Sequence, residues 1–289
     1  MTDAPSPAEA PPAKASGVKS AELRTRIISA LVLAPVALGL TWLGGWPFAA
    51  LLAVAAVLMA WELAALLPDI SMTMRIMLAG FALIAIGLTA IGGPFVALLV
   101  SLAGLTFAIT ISILTSAPVS SPAIAFPYLI LPLVSLLWLR EGDDYGRIAL
   151  FWLLFTVWAT DTFAYFAGRG FGGPKLAPRL SPNKTWAGLI GGMAGAALVG
   201  AITAIWFSLG SALGLAFVSA VIAVVAQAGD IFESALKRRA GVKDSGKVIP
   251  GHGGILDRVD GLVTAAVGAA IISTLHGVTG PATGVLLWP

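Results

Sequence analysis

Long apolar runs, parted by short polar or glycine- and proline-bearing joints, make up most of this chain. Nine stretches are candidates to cross a bilayer: 27–43, 48–67, 76–92, 94–114, 121–139, 148–168, 186–208, 211–230 and 260–280. About 20 residues of helix cover the ~30 Å of hydrocarbon. A segment in lipid must also satisfy its own backbone, so runs of this length predict helices. Gly44-Gly45-Trp46-Pro47 marks the joint between the first and second stretches, and Gly93-Pro94 that between the third and fourth. In the seventh, Gly188, Gly191, Gly192, Gly195 and Gly200 suit close approach between helices. The pattern predicts an all-α, polytopic integral membrane protein of about nine transmembrane helices.

Composition agrees with the pattern. Charged residues are 11% of the 289 and hydrophobic ones 58%, whereas soluble domains carry about 25% charged residues. The absence of Cys excludes disulfides, thiolate metal sites and cysteine nucleophiles. Residues 1–23, rich in Pro, Ala and Ser, lack the apolar surface to fold alone and read as a disordered cytosolic tail. They do not read as a secretory signal, because the apolar stretch from Ile27 is too long and further spans follow it.

Where the charges fall matters more than their net value of +3. With the N-terminus inside, Lys14, Lys19, Arg24, Arg26, Arg75, Arg169, Lys175, Arg179, Lys184, Lys237, Arg238, Arg239, Lys243, Lys247 and Arg258 share one side. Only Arg140 and Arg147 lie on the other. Basic residues concentrate on cytoplasmic loops, so the sorting predicts a cytosolic N-terminus.

Two of the cytosolic loops carry the chemistry, residues 161–188 and 229–261. Asp230, Glu233 and Lys237 lie at i, i+3 and i+7, on one face of a helix. Alone they describe a salt-bridged helix end. Asp257 and Asp260 share a face where the ninth helix starts, which alone describes dipole partners. Together they mean more. A helical hairpin would bring Asp230 and Asp257 to one membrane surface, among clustered lysines and arginines and a glycine-rich loop. Hard divalent ions such as Mg2+ take carboxylate oxygens and keep substrate phosphates. Carboxylates among cations point to metal-assisted phosphoryl or nucleotidyl transfer, whereas a lipid-binding basic patch needs the cations alone.

The order Ser234-Ala235-Leu236-Lys237-Arg238, then Lys243-Asp244-Ser245-Gly246, Pro250-Gly251-His252-Gly253-Gly254 and Asp257-Arg258-Val259-Asp260 resembles the signature of the phosphatidate cytidylyltransferase (CDP-diacylglycerol synthase) family. Upstream, Asp161-Thr162, Ala164-Tyr165, Gly168-Arg169 and Ser181-Pro182-Asn183-Lys184-Thr185 are similar too. The resemblance covers the region 158–261, and residues 1–145 share only hydrophobicity with the family. The family often has Lys at the place of Asn183, Glu at that of Ala187 and Ser at that of Gly261.

The resemblance implies one membrane-embedded domain over 24–289, in the inner (plasma) membrane of the cell. It also implies the reaction CTP + phosphatidate → CDP-diacylglycerol + pyrophosphate with Mg2+. CTP, phosphatidate and the bilayer are then the partners, no nucleic acid is expected, and a homodimer is left open. Asp230 and Asp257 are expected to bind the metal, with Asp260 beside them. Lys237, Arg238, Lys243 and Arg258 would hold phosphates, while Asp244 and His252, with Gly253 and Gly254, would order the loop or touch the nucleotide. Ser181, Lys184 and Ser234 complete the binding set. Asp161, inside its span, is expected to face a polar cavity and pair with a basic residue, since an unpaired charge there is costly. Glu62, beside Trp61 and near the inner edge of the second span, is expected to snorkel to the interface. A transporter using Asp161 and Glu62 is the alternative of a different class, but the polar density lies in loops and no internal repeat is evident. A CDP-alcohol phosphotransferase is excluded, because Asp260-Gly261 is followed by neither the Arg nor the spaced acids of that family.

Overall fold

The computed structural model describes residue 29 and residues 31–67, 69–249, 251, 253–278 and 280–289. The predicted tail 1–23 and the candidate His252 lie outside the described residues. Helices dominate: α1 (Leu31–Leu43), α2 (Gly45–Leu66), α3 (Met72–Ala90), α4 (Pro94–Leu114), α5 (Ser120–Glu141), α6 (Gly146–Gly170), α7 (Trp186–Phe207), α8 (Ala212–Arg239), α9 (Leu256–His276) and α10 (Pro281–Leu286). A two-stranded antiparallel hairpin, β1 (Lys175–Ala177) and β2 (Ser181–Thr185), joins α6 to α7. Helices α2 to α9 are each long and apolar enough to cross a membrane, and α1 is a shorter apolar helix. The protein is an all-α, multi-pass membrane protein, and each predicted span is matched by a helix.

The joints follow from their residues. Ser71 caps α3 by accepting the Met74 N–H at 3.2 Å. Gly92, at φ 86°, takes the left-handed turn between α3 and α4, and Pro94 opens α4 where a missing N–H costs nothing. Two boundaries depart from the hydrophobic pattern. Helix α8 continues past 230 to Arg239, and α9 starts at Leu256, ahead of the predicted 260. Both extensions are polar turns that an apolar-run criterion cuts off; the first carries Glu233 and Lys237, the second Asp257.

Small residues bring α6, α7 and α8 close. A Cβ on Gly192 would lie 2.9 Å from the Thr160 carbonyl, and one on Gly195 would strike the Phe163 ring. Gly200 approaches Ser219 of α8 in the same way, and Gly229 of α8 is covered by Thr264 of α9. In lipid such close approach replaces the hydrophobic drive that water would supply. Buried Trp152 donates from Nε1 to Ser219 Oγ at 2.9 Å, so its one polar atom is satisfied inside the bundle. At the end of the bundle where α5 turns into α6, Arg140 donates to the carbonyls of Thr41 and Trp42 and pairs with Glu141.

Candidate active site

At the opposite end, the hairpin between α6 and α7 aims Lys184. Strand β2 runs into Thr185, whose Oγ1 accepts the Gly188 N–H at 3.0 Å and caps α7. That cap sets the direction of the strand. The Lys184 ammonium pairs with Asp230 Oδ2 on α8 and also reaches the Gln227 carbonyl at 3.4 Å. Gln227 Nε2 donates to Asp161 Oδ1 on α6 at 3.2 Å, and Ser234 Oγ approaches Asp230 Oδ1 at 3.4 Å. Three elements thus meet around two acids. Asp161 departs from expectation: its direct partner is a neutral amide, it is exposed rather than enclosed, and Lys184 acts on it only as a nearby charge. Gln227, a lone amide in an apolar helix, is the partner that sequence reasoning missed.

About two helical turns beyond Asp230 along α8, Lys237 stands between two more carboxylates. Its Nζ lies 3.1 Å from Glu233 Oε1 and 2.7 Å from Asp257 Oδ1. Glu233 is fully buried, and neither of its oxygens has a hydrogen bond among the described residues. Asp257, in the first turn of α9, is occupied on both sides. Its Oδ2 accepts the Ser245 N–H at 2.9 Å, the Ser245 hydroxyl at 3.0 Å and the Gly254 N–H at 2.9 Å. The 240–255 loop therefore wraps around this carboxylate. It is closed by the Ile249 N–H to the Gly253 carbonyl at 2.9 Å, with Gly251 and Gly253 at positive φ. Asp260 Oδ1 accepts the Gly261 N–H at 2.8 Å, and the charges of Asp230, Asp161 and Lys237 act on it, so it links the two clusters.

Glu62 does not snorkel. It is 4% exposed and accepts from the Ile255 and Leu256 amides, both at 2.9 Å, and from Ser245 Oγ at 3.1 Å. The first amides of α9 have no partner within their own helix, and a buried carboxylate is well placed to take them. Its donors are those of a helix cap and its loop, and nothing supports the transporter alternative.

The remaining candidates sit on the outer face. Lys243, Asp244 and Arg258 are exposed, and Lys243 and Asp244 make no hydrogen bond or ion pair among the described residues. Arg238 is exposed and donates to the Val242 carbonyl at 3.2 Å. Ser181 is half-buried on β2, where it pairs with Ala177. Beside the carboxylates, Tyr128, Val225, Phe232, Val263 and Thr264 line part of a groove of about 610 Å³ between α5, α8 and α9. Its walls are apolar except near Tyr128, whose hydroxyl is buried, has no hydrogen-bond partner among the described residues and feels the charges of Glu233, Asp260 and Asp230.

A model of the cytidylyltransferase family matches residues 24–276, across both clusters and the loop that joins them. The chain belongs to the cytidylyltransferase family. It is 40% identical over 245 residues to a phosphatidate cytidylyltransferase of Brucella abortus biovar 1 (strain 9-941), covering 84% of this chain and 90% of that protein. The same figures hold for the protein of that name from Brucella suis biovar 1 (strain 1330). The one from Rickettsia felis is 37% identical over 166 residues, 54% of this chain and 72% of its own. The family match begins at residue 24, so the resemblance is wider than the C-terminal motifs indicated and takes in α2 with Glu62.

A nucleotidyltransferase of this family handles polyanions, and the donor set fits a hard cation as a partner. Asp161, Asp230 and Asp260 act on one another as charges, with Lys184 as the ion-pair partner of Asp230. Among the described residues no three acidic or histidine side chains form a ready cage.

Proposed function

We propose that this protein transfers the cytidylyl group of CTP to phosphatidate, giving CDP-diacylglycerol and pyrophosphate, on the cytosolic side of the inner membrane. The observation that carries this reading is the two clusters of carboxylates paired with Lys184 and Lys237 at one end of the spans, beside an apolar groove. The names of the Brucella and Rickettsia relatives supply the substrates. A phosphatidate oxygen attacks the α-phosphorus of CTP. One P–O bond forms, the α–β bridging P–O bond breaks, and pyrophosphate leaves with the electron pair. The attacking oxygen is already ionised, so no general base is needed. The protein contributes positioning and charge neutralisation.

In this reading Lys184 and Lys237 turn from their carboxylates toward phosphate, joined by Arg238, Lys243 and Arg258. Ser181 and Ser234 add hydroxyl donors, while Asp244, His252, Gly253 and Gly254 shape the nucleotide side of the loop. The groove at Tyr128 takes an acyl chain. Asp230 and Asp257 would hold Mg2+: among the described residues, Oδ1 of Asp230 has only the 3.4 Å contact from Ser234, and Oδ1 of Asp257 only the Lys237 ammonium. Asp260 stands as the third carboxylate. When bound, the ion neutralises phosphate charge and polarises the bonds to phosphorus.

Incubating purified protein in detergent with labelled CTP, phosphatidate and Mg2+ is expected to give a lipid-extractable label and stoichiometric pyrophosphate. EDTA should abolish both and Mg2+ restore them. Full activity in chelator would refute the metal, and label on a polyol would refute phosphatidate as acceptor. For orientation, a Cys placed at exposed Lys247 should react from the cytosolic side only, and one at exposed Asp144 from the other side only. Reaction of both from one side would overturn the topology.

A further inference from the structure

We infer that Glu62 is a positioning residue for the transfer step: from α2 it sets the place of the signature loop, and through that loop the aim of Asp257. The inference rests on the cytidylyltransferase reading above and adds a residue from outside the signature. Ile255, at the N-cap of α9, has no side-chain oxygen and makes no cap hydrogen bond of its own. The capping is done by Glu62, 193 residues away, whose Oε1 takes the Ile255 amide while Oε2 takes that of Leu256. An anion at a helix N-terminus meets both unpaired N–H groups and the positive end of the dipole.

Ser245 connects this cap to the chemistry. Its hydroxyl lies 3.1 Å from Glu62 Oε2 and 3.0 Å from Asp257 Oδ2. A hydroxyl has one proton, so it bonds one of these carboxylates at a time while standing between both. Ser245 N and Gly254 N complete the hold on the same Asp257 oxygen. Among the described residues, every donor on Asp257 Oδ2 therefore belongs to the segment that Glu62 gathers.

The two signature glycines nearest this point are explained by the same side chain. A Cβ on Gly246 would lie 2.6 Å from Glu62 Oε1, and one on Gly254 would lie 2.6 Å from Glu62 Oε2 while striking Ser245 Oγ. Neither glycine is at positive φ, so neither is required by its backbone conformation. What they supply is room for a carboxylate arriving from α2. Small displacements of a reacting group carry large kinetic cost, which makes a link of this kind more than support.

The test compares Glu62→Gln, Ser245→Ala and the double variant with wild type. The amide of Gln sets an N–H donor against donors while keeping size and shape. Glu62→Gln is expected to lower kcat per folded molecule by about 10-fold or more, with KM for phosphatidate within about two-fold. Ser245→Ala should lower kcat by about three-fold or more, and the double variant should be no worse than Glu62→Gln alone, because both act through one connection. Multiplying effects, or a kcat within about two-fold of wild type in Glu62→Gln, would overturn the inference. Should Glu62→Gln fail to fold, Ser245→Ala decides, since it keeps the backbone donor to Asp257; an unchanged kcat there refutes the link. Amide exchange gives a readout independent of turnover. Protection over 245–257 should fall in both single variants while that of the α3–α4 pair holds, and unchanged protection refutes positioning whatever the assay reads. A wild-type protein that transfers no label would count against the proposed reaction, and the exchange result would still judge Glu62.

Discussion

Asp257→Asn is expected to lower kcat by at least about 10²-fold at saturating Mg2+, because an amide keeps a neutral oxygen but loses the charge that holds a divalent ion. The surroundings of Asp257 sharpen this expectation. Asparagine has one acceptor oxygen, and the three donors from Ser245 and Gly254 claim it. Its NH2 then faces the Lys237 ammonium, which sits 2.7 Å from Oδ1 in the native site. The variant thus loses a ligand and displaces a cation, leaving Lys237 with Glu233 alone. Some stability goes with it, since a hydrogen bond to a charged group contributes about 1.5–3 kcal/mol. Were Asp257 only the fastener of its loop, the melting temperature would fall while the folded enzyme turned over almost normally. Measuring kcat beside melting temperature in detergent separates the two, and at least half of wild-type turnover would remove Asp257 from the site.

Lys237→Leu should be the most destabilising single change at the site. The ammonium is the ion-pair partner both of Glu233, whose side chain is 0% exposed, and of Asp257, at 8%. Removing one member of a buried pair leaves an uncompensated charge and costs about 3–5 kcal/mol. Here two carboxylates are left facing each other, so the upper part of that range is expected. Changing Glu233 to Gln in the same chain removes one of the stranded charges and should recover much of the stability. Activity should not return, because the phosphate-binding cation is still missing. Thermal unfolding and labelled-CTP turnover on the single and double variants read the two effects separately. A Lys237→Leu protein as stable as wild type would show that these carboxylates find other compensation, and recovery of turnover in the double variant would take Lys237 out of the chemistry.

The polytopic helical architecture was legible along the chain because it depends on local facts. A run of apolar residues long enough for the bilayer becomes a helix whatever its neighbours are, and each predicted stretch is matched by one. The Glu233–Lys237 pair was equally legible, since residues on successive turns of one helix meet by geometry. Helix boundaries were less so at α8 and α9, where the helices run on through polar turns and only the spacings of Asp230, Glu233 and Lys237 and of Asp257 and Asp260 hinted at continuation. Glu62 and Gln227 could not be placed from the sequence. A lone acid near a span edge and a lone amide within one look the same whether they face lipid, water or a partner. Only the packing of α2 against the start of α9, and of α6 against α8, gave each carboxylate its donors. Hydrophobic pattern and helical spacing act over a few residues and are written in order along the chain. The partner of a buried charge is set by which helices lie side by side, and that depends on the close approach of surfaces far apart in sequence.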